Sequence, residues 1–367
     1  MRNCLDAYYV KHAEVENSHF SYKLTICDKA GRCPVRKGRL SSWKDDLCAL
    51  IGVFMHKPFI TIEDQIALLN SRGLQTDSRT SWILEREGYC ATVNGCKKPF
   101  LDNPVRKKDE EDKYREGSSC NDLYKLYLFD RQLRFLLFGM ITIAEAILKT
   151  VCAYEFTKAN PAEKNPYLNI DNYARTGQAH EKASQLIPRL QKILTDNSDC
   201  ERKGRKEYLV HCLNEHDGEV PLWVLTNDLT LWQIYWFFQS QNILIRGSIA
   251  RSFTVLYGDL HRHKTEIDAQ RIDKIYRRMK DFRNICAHDE RLYCAHPHDS
   301  NNTVFQLVKD LRFVIDKKRY LEFLQQFNSL LMHLGEDIPA YVDSVYREMG
   351  LDFPCELHEW MELTRTS

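Results

Sequence analysis

The segment from Asn121 to about Lys158 constrains the fold of this chain more than any other. Leu123, Leu126, Tyr127, Phe129, Leu133, Leu136, Leu137, Ile141, Ala144, Leu148 and Val151 recur at helical spacing and lay a wide apolar stripe along it. A run of roughly 35 residues exceeds the usual globular helix. The pattern therefore predicts one long helix, or two with a break near Gly139.

Helical periodicity returns at 178–195, 206–215, 245–256, 265–288 and 303–334. Pro221 opens a further helix, dense in Trp223, Trp232, Trp236, Phe237 and Phe238, whose spacing favours core over a base-stacking platform. Upstream, Thr61 with Asp64 resembles a weak capping box for a helix that Gly73 stops, and a short helix is expected over Ser78–Glu87. Phe20–Ile26 reads as a strand or hairpin, Lys29–Lys37 as a basic loop, and 102–118 as a charged, solvated loop. No repeat of fixed period is present. The expected fold class is mainly α, with a small α or α+β N-terminal region. The expected division is an extension over 1–55, a helical region over 56–118, a helical domain over 119–300 and a helical C-terminal extension over 301–367.

Charge and cysteine content bound the function. The chain has 52 Lys+Arg against 51 Asp+Glu, a net charge of +1, which argues against a histone-like polycation but allows a local basic cleft. The 13 cysteines are odd in number, scattered from Cys4 to Cys355 and without a CxxC pair. Neither a zinc ribbon nor a thioredoxin-type site is indicated; reduced, buried thiols in a cytosolic protein are. The start, Met1–Asp6, lacks an apolar signal core. The most apolar run, Phe135–Ala144, lies between Arg134 and Glu145 and falls short of the roughly 20 residues that span a bilayer. A cytoplasmic location without a membrane partner is expected.

The helix at 265–288 carries the most chemistry. On a wheel of about 100° per residue, Ile275, Met279, Phe282 and Cys286 form its core stripe, while Asn284 and His288 fall away from it. Arg283 lies on the stripe's edge, where its long side chain can swing toward a cleft. A cation, a neutral amide and an imidazole thus gather at one helix end, a set suited to phosphodiester chemistry. An imidazole can take a proton from a ribose 2′-hydroxyl or give one to a 5′-oxygen, and a guanidinium can hold the phosphate bidentately. No carboxylate cluster stands beside them, so no metal or other cofactor is required. A plain structural role fits the same spacing: Arg283 pairs with a surface carboxylate and His288 caps the helix.

The hexamer Arg283-Asn284-Ile285-Cys286-Ala287-His288, followed by Asp289-Glu290-Arg291-Leu292-Tyr293, resembles the RNxxAHxxRL signature of AbiD/AbiF-type abortive-infection proteins, members of the HEPN superfamily. Lys57-Pro58-Phe59, Ile62–Ile66 and Leu69–Leu74 resemble that family's opening segment. Phe129-Asp130-Arg131-Gln132-Leu133-Arg134 with Glu145 resembles its FDRxLR…IE helix, and Pro221-Leu222-Trp223 its PLW helix start. The likeness spans about residues 56–295 in order. Departures are Gly88–Phe100, poorer in aromatics than the family's segment, Leu229–Trp232 without a glycine, and Lys149 where an arginine is frequent.

The resemblance implies a HEPN-like helical bundle and metal-independent endoribonuclease activity that leaves a 2′,3′-cyclic phosphate. His288 would transfer protons, Arg283 stabilise the phosphate, Asn284 position it, and Glu145 orient Arg283 or His288. One motif per chain implies a homodimer, and relatives in phage defence and toxin–antitoxin pairs imply a small structured noncoding RNA as partner. Lys274, Arg277, Arg278, Lys280 and Arg291 are candidate RNA contacts, or equally a solvated face beside Asp273 and Asp281. The alternatives are a non-catalytic RNA-binding adaptor and a zinc-stabilised module built on Cys286, His288, Cys294, His296 and His298.

Overall fold

Two units divide the chain: residues 1–81 with 101–117, and residues 82–100 with 118–367. The computed structural model describes residues 8–16, 21–28, 59–102, 111–258, 265–351, 357 and 359–362. The expected basic loop at Lys29–Lys37 and much of the C-terminal extension beyond Leu351 lie outside the described residues.

In the first unit, β1 (Tyr8–Glu16) and β2 (Ser21–Asp28) form an antiparallel hairpin with an irregularity between Val10 and His12. Strand β2 covers residues 21–26 of the segment expected as strand, and Phe20 lies outside the described residues. Helix α1 (Ile62–Ser71) begins at Thr61, whose Oγ1 accepts the Asp64 N–H at 3.1 Å and donates to the Asp64 carboxylate at 3.0 Å. Gly73 ends it in the left-handed region at φ +87°, a conformation that favours glycine. The Tyr114 N–H then bonds the Arg72 carbonyl at 2.9 Å, and Arg72 pairs with Asp112 at 3.7 Å. Helix α2 (Ser78–Glu87) crosses from the first unit into the second.

The second unit is built around α3 (Cys120–Ala159), 40 residues without a break. Ser119 and Asp122 close a reciprocal capping box at its start. Gly139 does not interrupt it. One glycine costs a helix about 1 kcal/mol, far less than is gained by burying Leu133, Leu137, Ile141, Ala144, Leu148 and Cys152, each at most 1% exposed. By length and composition alone, α3 is long and apolar enough to cross a membrane. Its apolar character continues past Ala144 with Glu145 and Lys149, which pair with each other at 2.8 Å, as the charges in that stretch.

Nine helices follow among the described residues: α4 (Gly177–Ser198), α5 (Glu207–Glu215), α6 (Leu222–Leu225), α7 (Leu231–Ser240), α8 (Ile243–Gly258), α9 (Ala269–Ala287), α10 (Val304–Leu311), α11 (Lys317–Asp337) and α12 (Val342–Glu348). The mainly α expectation holds. Two expected helices are each divided. After α6, Thr230 starts α7 afresh, its N–H bonding the Gln233 side chain at 2.8 Å. Between α10 and α11, Asp316 re-caps by accepting the Arg319 N–H at 3.0 Å. In both places a good N-cap supplies partners for orphan N–H groups, so a new helix can start inside an apolar run. Helices α7, α8, α9 and α11 pack on α3, and α4 packs on α7.

Candidate functional site: the C-terminal end of α9

Asp268 caps α9, accepting the Arg271 N–H at 2.7 Å. Ile272, Ile275, Tyr276, Met279 and Phe282 are buried, and the Tyr276 hydroxyl donates to the Ala144 carbonyl of α3 at 2.9 Å. Cys286, on the expected core stripe, is half-buried, and burial pushes its thiol up to about 12. The far end therefore sits on a fixed base.

The helix closes tightly after the motif. The His288 N–H bonds the Asn284 carbonyl at 3.0 Å, and the Glu290 N–H reaches back to the Ile285 carbonyl at 3.1 Å. Between them Asp289 takes the left-handed conformation, φ +56°. This is a Schellman-type end with aspartate where glycine is usual.

A buried ion pair on α3 explains how that turn is held. Asp130 and Arg134, one helical turn apart, are 2% and 5% exposed. The Asp130 carboxylate pairs with the Arg134 guanidinium and accepts the backbone N–H of Tyr293 at 2.7 Å and of Leu292 at 3.1 Å. Arg134 also binds the Asp289 carboxylate at 2.5 Å and donates to the Glu290 carbonyl at 3.2 Å. Downstream, Arg291 donates to the Gly95 carbonyl at 3.0 Å, and Leu292 and Tyr293 are fully buried. Burial pushes the Asp130 carboxyl up to about 6, against the opposing pull of the Tyr293 N–H, Arg134 and the Leu292 N–H. Every residue from Asp289 to Tyr293 is thus tied down just beyond His288.

The motif side chains are free of such ties. Arg283 is half-buried, with its guanidinium 5.9 Å from the centre of the Phe138 ring on α3. Asn284 and His288 are exposed. Among the described residues, no hydrogen bond or ion pair joins these three side chains to one another or to Glu145. Glu145 pairs instead with Lys149, so the contact expected of it with Arg283 or His288 is absent. The surface ion pair expected for Arg283 in a plain structural role is also absent.

The candidate RNA contacts divide. Arg277 pairs with Asp273 at 2.7 Å; Arg278 bonds Asn302 at 2.7 Å and pairs with Asp310; Lys280 pairs with Asp281 at 3.2 Å. Arg291 is spent on the Gly95 carbonyl, whereas Lys274 is exposed and makes no ion pair among the described residues. The thiols and imidazoles of the zinc alternative also separate. His296 faces Glu348 at 3.6 Å and His298 faces Asp281 at 3.2 Å, and no group of three ligating side chains assembles among the described residues.

Sequence reasoning missed the roles of Asp130, Arg134 and Asp289. The signal was present: an Asp–Arg pair at i, i+4 on the apolar face of a helix must find partners once buried. What it holds could not be read.

The family model for the Abi-like proteins matches residues 82–294, more than half of the chain. The chain belongs to the Abi-like protein family, which places it generally among abortive-infection proteins of phage defence. The match takes in the clamp, the PLW start and the whole Arg283–His288 motif, and it begins after the Lys57–Leu74 segment. Comparison with curated proteins and with solved structures returns no match.

Proposed function

We propose that this chain is a HEPN-type endoribonuclease of AbiD/AbiF kind, cutting RNA without a metal as part of phage defence and working as a homodimer. The observation that carries this reading is the contrast at the end of α9. Arg283 and His288 have no hydrogen-bond or ion-pair partner among the described residues, while the turn beside them is held by a buried ion pair. A helix end anchored so fully, with its imidazole left exposed, suits a group that meets substrate.

In the proposed reaction, the His288 imidazole takes the proton of a ribose 2′-hydroxyl. The oxygen attacks the neighbouring phosphorus, the bond to the 5′-oxygen breaks, and the protonated imidazole returns its proton to that leaving oxygen, giving a 2′,3′-cyclic phosphate and a 5′-hydroxyl. Arg283 holds the phosphate oxygens as their charge grows, and Asn284 donates to the phosphate.

Arg283 and His288 stand about 140° apart around α9, which fits a site that takes one group from each of two chains. Phe135, adjacent to Arg134, is 70% exposed, and farther along α3 and α8 Tyr154 and Val255 are 64% and 59% exposed. Tyr154 and Val255 line one open pocket with Ile143, Ile147 and Leu256, and this apolar surface suits a second copy of the chain. A small structured noncoding RNA, as guide or antitoxin, completes the reading.

The test is cleavage of a labelled single-stranded RNA by the purified full chain in EDTA. The wild type should cut, and Arg283→Ala and His288→Ala should each lose at least about 100-fold in rate while His288→Ala keeps RNA affinity. Retained cleavage by His288→Ala would reject the mechanism. An RNA-binding wild type that never cuts would favour the adaptor reading.

A further inference from the structure

Beside α9 lies an open groove of about 650 Å³, walled by Trp232 and Trp236 of α7 and by Lys182 of α4. The tryptophans are half-buried, with ring centres 3.9 Å apart and planes tilted by 35°, and Arg189 lies 4.9 Å from one ring and 5.5 Å from the other. Their neighbours Phe237 and Phe238 fill the core, so α7 buries one aromatic face and presents the other to the groove.

The groove's lining holds five Lys and Arg side chains. Arg277, Arg278 and Lys280 are paired with Asp273, Asp310 and Asp281, which leaves Lys182 and Lys274 as the lining's cations without an ion pair among the described residues. Burial lowers the Lys182 amine's affinity for a proton, and the charges of Arg277, Arg246 and Lys280 lower it further, with Asp273 opposing. An anion entering the groove would relieve that repulsion. The floor is already ordered: Lys182 donates to Gln239 at 2.8 Å, and Gln239 donates to Asp273 at 2.8 Å and to the Tyr235 hydroxyl at 2.6 Å.

We infer that this groove is a binding subsite for single-stranded RNA, in which a base stacks on the Trp232–Trp236 pair and Lys182 and Lys274 hold the flanking phosphates. It rests on the RNA reading above and gives that reading a location away from the cutting residues. Stacking needs an unpaired base, which selects single strands over duplex. Lys274, Arg277, Asp281, Asn284 and His288 recur at three- to four-residue spacing along one side of α9. A strand leaving the groove at Asp281 therefore reaches His288 after about 10 Å of helix.

The test is the affinity of the full chain for a labelled oligo(A) RNA, with duplex RNA as comparison, across a salt series. Trp236→Ala and Trp232→Ala should each weaken oligo(A) binding about tenfold, Trp236→Phe should keep most of it, and Gln326→Ala, exposed on α11 and outside both groove and motif, should leave it unchanged. Lys182→Gln and Lys274→Gln should each lower the salt slope by about 0.7. Circular dichroism checks the fold of every variant, and exposed Lys274→Gln carries the test if a tryptophan variant misfolds. A cleaving wild type whose affinity and salt slope ignore all these changes, or that prefers duplex, would overturn the subsite and leave the nuclease reading standing. Groove-dependent binding without cleavage would keep the subsite and reject the nuclease. A wild type that neither binds nor cuts RNA would overturn both.

Discussion

The Asp130 carboxylate accepts the backbone N–H of Tyr293, 163 positions later, at 2.7 Å. Through this bond and the Arg134 pair, the core helix α3 fixes the strand of chain that leaves the Arg283–His288 motif. The Asp130–Arg134 pair on α3's buried face thus has a positioning role, anchoring the turn that follows the motif.

Breaking the clamp should be costly. Asp130→Ala leaves Arg134 buried with a single carboxylate partner and orphans two backbone N–H groups, a loss of about 3–5 kcal/mol. Urea denaturation measures the loss. Amide exchange should show Leu292 and Tyr293 opening in Arg134→Ala before the α3 core does.

The same carboxyl predicts a pH dependence with a definite sign. Burial raises Asp130 to about 6 in the folded chain, above the unfolded value near 3.9, so the folded state holds the extra proton between these values. Its contribution to stability is full below about pH 4 and is lost as pH rises through about 6. Urea midpoints of the wild type relative to Asp130→Asn should therefore fall across that window and level off above it.

Asp289 combines a left-handed backbone at φ +56° with an ion pair to Arg134. Asp289→Ala loses the pair and keeps the strained conformation, whereas Asp289→Gly loses the pair and removes the strain. Alanine should be less stable than glycine by about 1 kcal/mol, and both less stable than the wild type, in denaturant titrations.

The proposed sharing of the site between two chains makes a complementation prediction. Arg283→Ala and His288→Ala homodimers should each be inactive, but mixing them after subunit exchange restores one intact site in each heterodimer. Roughly a quarter of wild-type cleavage should return. Recovery of none would place both groups of a working site on one chain.

Much of the helical plan was legible in the sequence because it rests on local pattern. The stripe from Leu123 to Val151 and the caps at Thr61 and Asp64 needed no distant partner to be read. Continuity through Gly139 was not legible, because packing on several other helices outweighs one residue's propensity. The tryptophans of α7 were read as core from their spacing. Spacing puts Phe237 and Phe238 inside, but only the packing of α4 and α9 reveals that Trp232 and Trp236 face an open groove. At the candidate site the motif itself was legible, whereas its clamp was not, since Asp130 and Tyr293 meet only in three dimensions. The contact drawn between Glu145 and the motif came from resemblance, and here Glu145 pairs with Lys149.

The most direct test of the central claim is the chemical nature of the ends left on cut RNA. The wild-type chain in EDTA should leave 2′,3′-cyclic phosphate and 5′-hydroxyl ends, and His288→Ala should leave RNA intact while still binding it. Cleavage that requires a divalent metal, yields 3′-hydroxyl ends or persists in His288→Ala would contradict the account.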